Sequence, residues 1–138
     1  MSVSFNPAAR STMVPSVSQL VELQGHTYED GRTVSAALLE TLKRCGCWLE
    51  ERKNVSSTRM ERMDICFEVR LSAADELYSG LVAAGVEFTR EAHQAMTWLC
   101  TLRRHEGPRS LRTVCVRMEM SFLEEYAQEM GMMATGHA

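Results

Sequence analysis

Two stretches of this chain alternate strictly between apolar and polar side chains, and that alternation constrains the fold more than any other feature. In the first, Met63, Ile65, Phe67, Val69 and Leu71 alternate with Arg62, Asp64, Cys66, Glu68 and Arg70. In the second, Val114, Val116, Met118, Met120 and Phe122 alternate with Thr113, Cys115, Arg117, Glu119 and Ser121. Side chains of a strand point to opposite faces with a period of two, so each stretch predicts a strand with one buried and one open face.

Weaker signals fill in the rest. Val17, Val21 and Leu23 alternate with Ser18, Leu20 and Glu22, which predicts a first strand over 16–24. The turn-forming GHTYEDGR segment follows, and a helix is expected from Asp30 or Thr33, with Val34, Leu38, Leu42 and Cys45 on its buried side and Gly46 as its stop. Cys47–Val55 reads as a second strand, closed by a polar hairpin loop over 54–59. Ser72 stands where a helix N-cap belongs, ahead of Asp75 and Glu76. Leu77, Tyr78, Leu81 and Val82 form the apolar stripe of that helix, and Gly85 ends it. A third helix is expected from Thr89 to His105 through Ala92, Ala95, Met96, Leu99 and Leu102, and a short closing helix through Leu123, Tyr126, Ala127 and Met130.

The element order is therefore β-α-β-β-α-(α)-β. It resembles the split β-α-β arrangement of ferredoxin-like domains, the ACT-like ones included, in topology alone. The resemblance implies an α+β fold with a four-stranded antiparallel sheet in the order 4-1-3-2 and helices on one face; the extra helix expected in the second crossover departs from it. Residues 1–14 read as a flexible arm, 15–130 as one α+β domain, and 131–138 as a flexible tail.

The chain has 138 residues, of which 45% are apolar and 24% charged, with a net charge of −3. These values suit one globular core and argue against a disordered chain. No apolar run reaches the roughly 18–20 residues of a membrane span, and the N-terminal residues lack the apolar stretch of a secretory signal. Five cysteines cannot all pair within one chain, so reduced thiols and a cytoplasmic setting are expected.

Function is less legible. With helices on one sheet face, the open face should carry Leu20, Cys66 and Cys115 near its centre, with Glu68, Arg117 and other charges around them. An apolar centre with a mixed-charge rim suits self-association, and a homodimeric interaction or small-ligand regulatory domain is the reading favoured. No nucleophile elbow, metal-protease, phosphate-loop or nucleotide motif occurs, and no cofactor is implied.

Two readings from other classes stand beside it. A small enzyme would need a pocket between helices and sheet that gathers Arg90, His93 and a carboxylate such as Glu87. A nucleic-acid-associated protein would use a basic patch of Arg90, Arg103 and Arg104 with Arg109 and Arg112, although Glu87, Glu91 and Glu106 are interleaved with it. The Cys45-Gly46-Cys47 pair lacks the spacing of a structural zinc site and reads as a helix end, with the other cysteines dispersed. Glu91 and His93, two apart, would point about 200° apart on a helix. Glu50 and Glu51 are expected on opposite faces of their strand.

Overall fold

The structure, a computed structural model, describes residues 19–56 and 60–124. In chain order its elements are β1 (Gln19–Thr27), α1 (Gly31–Arg44), β2 (Trp48–Ser56), β3 (Glu61–Arg70), a 3-10 turn (Leu71–Ala73), α2 (Ala74–Ala83), β4 (Glu87–Phe88), α3 (Arg90–Glu106) and β5 (Thr113–Phe122). The expected arm, tail and hairpin tip, Ser16–Ser18 of the first strand, and nearly all of the closing helix lie outside the described residues.

The strictly alternating stretches become β3 and β5, which pair antiparallel with Met63 opposite Met120 and Phe67 opposite Val116. Their apolar sets are buried apart from the half-buried Phe122, together with Val21 and Leu23 of β1. Val34, Leu38 and Leu42 of α1, Leu77 and Leu81 of α2, and Met96 and Leu99 of α3 complete the same core. The helices therefore take up one face of the sheet, as the patterning requires.

Helix ends follow their local chemistry. Asp30 caps α1 by accepting from the Arg32 N–H at 3.3 Å and the Thr33 hydroxyl at 2.8 Å. These bonds, the Thr33 hydroxyl first, hold the Asp30 carboxyl below its usual range. Thr89 caps α3 by accepting from the Ala92 N–H. At the end of α1, Gly46 takes a φ of 72°, Gly46 N–H donates to the Lys43 carbonyl, and Cys47 N–H donates to the Leu42 carbonyl. This is a Schellman stop, repeated after α2, where Gly85 N–H donates to the Val82 carbonyl and Val86 N–H to the Leu81 carbonyl. Ser72 is not an N-cap: it lies inside the 3-10 turn, and α2 starts without a side-chain cap. Val82, expected in the buried stripe, is exposed.

The sheet departs from the expected topology. It has five strands in the order β2-β3-β5-β1-β4, and β5 runs parallel to β1 instead of antiparallel. The order 4-1-3-2 is thus overturned: the last long strand enters between β1 and β3. The cause is the second helix of the crossover. One helix carries the chain along the sheet once, which would return β5 parallel to β3. Here α2 carries it out and α3 carries it back, so β5 starts beside the end of β3 and must run against it. The Leu71 N–H bond to the Arg112 carbonyl, at 2.8 Å, closes that junction. Between the helices, Glu87 and Phe88 form the short β4 on His26 and Gly25. Gly25 permits this, because a Cβ there would lie 2.7 Å from Val86 Cγ1.

Candidate functional site

With α1, α2 and α3 on one side, the polar set of each strand faces the other. This open face is assembled across four strands by their registers. Leu20 of β1 lies opposite Cys115 of β5, and Glu22 opposite Arg117. Cys115 lies opposite Glu68 of β3, and Arg117 opposite Cys66. Trp48 of β2 lies opposite Glu68. The five residues expected at a sheet-face site, Leu20, Cys66, Glu68, Cys115 and Arg117, are therefore neighbours on one surface.

Its apolar members are poorly covered. Leu20 is 52% exposed and Trp48 72% exposed, on opposite flanks of the thiols. Charges of both signs surround them. Arg117 pairs with Glu22 at 3.4 Å, and Arg62 holds Asp64 through bonds of 2.8 and 3.1 Å. The second pair keeps Asp64 tolerable beside Glu119, its like-charged opposite in β5.

At the centre, Cys66 Sγ and Cys115 Sγ lie 4.0 Å apart, although 49 residues separate them in the chain. Glu50 joins them. The β2–β3 register shifts between Leu49 and Glu51, and such a bulge re-aims the side chains around it. Glu51 stands opposite Cys66, and the Cys66 thiol also meets Glu50 Oε1 at 3.9 Å. The expectation that Glu50 and Glu51 diverge to opposite faces is overturned by this bulge. One ligand atom from each of Glu50, Cys66 and Cys115 lies within 4.8 Å of the others, and no other such group of three occurs among the described residues. Burial pushes the Cys115 thiol up to about 11, and the Cys66 thiol and the Glu50 and Glu68 charges act in the same direction.

Sequence reasoning placed the two thiols on one face but treated the cysteines as dispersed for metal binding. The only signal that could have joined them was the register of β3 on β5, which spacing along the chain does not carry. Cys45 and Cys47 form no such group. Cys45 belongs to the core, and burial raises both thiols, Cys47 to about 12.

The other candidates separate. Arg90 and Arg103 stand at opposite ends of α3, about 20 Å apart at 1.5 Å per residue. His93 hydrogen-bonds through Nδ1 to the Tyr78 hydroxyl, and its ring meets Phe88 edge-on. Arg103 donates to the Ser72 carbonyl at 3.0 Å and pairs with Asp75, tying α3 to the start of α2. Arg104 donates to the Thr101 hydroxyl. Glu87 pairs with His26 at 3.5 Å. Of these, Arg90 and His93 line one hollow of about 530 Å³ with Gln94, Thr97 and Trp98, whose lining does not include Glu87, Arg103 or Arg104. Arg112 is likewise held, by Glu106 at 2.7 Å. A hollow of about 880 Å³ lies between α1 and β2 among Asp30, Arg32, Ser35, Arg52 and Asn54, and no histidine or cysteine lines it.

Among the described residues no helix is long and apolar enough to cross a membrane. No known protein family, curated protein or solved structure matches the chain.

Proposed function

We propose that this domain is a small cytoplasmic interaction module that pairs with a second copy of itself through the open sheet face, rather than an enzyme. The observation that carries the reading is the exposure of Leu20 and Trp48 on either side of the half-buried Cys66–Cys115 pair. An apolar centre of this kind, left in water, loses the stabilisation its burial would bring. Mixed charge favours a second copy over a partner of one sign. A two-fold axis near the thiols sets each surface against itself, so Arg62, Arg70 and Arg117 can meet Asp64, Glu68 and Glu119. The four long strands offer a footprint of roughly 30 by 15–20 Å from strand rise and spacing. That plane, about 450–600 Å², reaches the lower end of the ~800 ± 200 Å² per partner of an ordinary stable interface. The five free thiols favour a reducing compartment.

The test is sedimentation of the wild type beside Leu20→Glu and Trp48→Glu. A charge in a desolvated interface centre costs at least about 2 kcal/mol, so each variant should dissociate about 30-fold more readily. Wild type and variants with the same monomeric behaviour would defeat the reading.

A further inference from the structure

We propose that Glu50, Cys66 and Cys115 bind a thiophilic divalent cation, of which Zn²⁺ is the probe. The site is complete within one copy of the chain and does not depend on whether the face pairs.

The thiol spacing suits a shared metal. Two Zn–S bonds of about 2.3 Å at a tetrahedral angle hold their sulfurs about 3.8 Å apart. Cys66 Sγ and Cys115 Sγ stand at 4.0 Å. A thiolate and a carboxylate oxygen on the same tetrahedral ion lie about 3.5 Å apart, by the same arithmetic with a Zn–O bond of about 2.0 Å. Glu50 Oε1 stands 3.9 Å from Cys66 Sγ. These two separations lie within about half an ångström of those in a tetrahedral ligand set, and the Glu50 oxygen lies within 4.8 Å of Cys115 Sγ as well.

The same geometry disfavours a disulfide. The sulfurs are about twice the ~2.05 Å bond length apart. Cys115 lies opposite Glu68, so Cys66 is its diagonal neighbour, two residues along β3. Diagonal Cα atoms are about 7–8 Å apart, beyond the usual reach of a disulfide.

The scaffold is suited to holding a ligand set. Cys66 and Cys115 lie on adjacent interior strands whose opposite sides are packed core, and Glu50 is delivered by the bulge. The charge around the site favours a cation. Glu50 and Glu68 are close enough to act on Cys115, while Arg117, opposite Cys66 in the register, is engaged by Glu22. Binding exchanges thiol protons for metal: each Cys S–H bond gives way to an S–metal bond and the proton leaves to solvent. Three protein ligands on an open sheet face leave the fourth tetrahedral position to water or an incoming group, the arrangement of reactive rather than closed structural zinc sites.

The experiment is titration of the reduced full chain with Zn²⁺ against a chromogenic chelator, and with Co²⁺ followed by absorption. One equivalent per chain should bind, and the cobalt form should show a thiolate charge-transfer band in the near ultraviolet. Cys66→Ser/Cys115→Ser should lose both, Glu50→Gln should bind at least about tenfold more weakly, and Cys47→Ser should match the wild type. A wild-type chain without the charge-transfer band would overturn the proposal, whatever the variants do. So would full binding retained in a folded Cys66→Ser/Cys115→Ser chain. Metal binding with a monomer would sustain this site while defeating the pairing; a dimer without metal would do the reverse.

Discussion

A Cβ added to Gly80 of α2 would lie 2.7 Å from Cγ2 of Thr41 on α1. The two helices meet at this contact, and Thr41 is buried there with its hydroxyl bonded to the Ala37 carbonyl at 2.9 Å. A β-branched side chain so bonded has little freedom to withdraw.

Gly80→Ala should therefore destabilise the domain even though alanine is the better helix former. The propensity gain is about 1 kcal/mol, and overpacking of a tight contact costs about 1–3 kcal/mol or more. Urea unfolding should show a lower midpoint with an unchanged slope. In a Thr41→Ser background, which lacks the offending methyl, most of the penalty should disappear.

The Tyr78 hydroxyl bonded to His93 fastens α2 to α3. Tyr78→Phe removes that bond but keeps the ring near Phe88, and should cost about 0.5–1.5 kcal/mol of stability. Self-association should be unchanged, because neither residue belongs to the open sheet face. Thermal unfolding and sedimentation of the same sample separate the two effects.

Alkali should weaken the fold. Burial lifts the thiols of Cys47 and Cys100 from an ordinary 9.0 to about 12, so the folded chain holds protons that the unfolded chain releases. A group with a raised folded pKa stabilises fully below its unfolded value and loses that contribution as pH rises through the folded one. Stability should therefore be flat with respect to these groups below pH 9 and decline between pH 9 and 12. Denaturant midpoints across that range measure it, and Cys47→Ala should shallow the decline. Alkylation follows the same proton: Cys47 should react about tenfold faster per pH unit near neutrality, since only the thiolate attacks.

The parts of the fold legible in sequence were those decided by neighbours. The alternation of Met63–Leu71 and Val114–Phe122 determines which atoms meet the core, and Gly46 and Gly85 supply the positive φ their helix stops require. Strand β4 was invisible because two residues carry no period; it exists through the gap that Gly25 leaves beside Val86. The direction of β5 was implicit in the two helices of the crossover, yet the resemblance to a ferredoxin-like order hid it. The open-face residues were foreseen because period two fixes faces. Their distances were not, because these depend on strand register and on a bulge at Glu50 that no local pattern marks.

Light scattering with size-exclusion chromatography decides whether the open face is a self-association surface. The wild-type chain should be run in reducing buffer with a chelator present, so that metal cannot bridge two copies, over a wide range of concentrations. The expected mass is twice that of one chain, falling toward the monomer only on dilution and restored to monomer by Leu20→Glu. A mass of one chain at every concentration would contradict it.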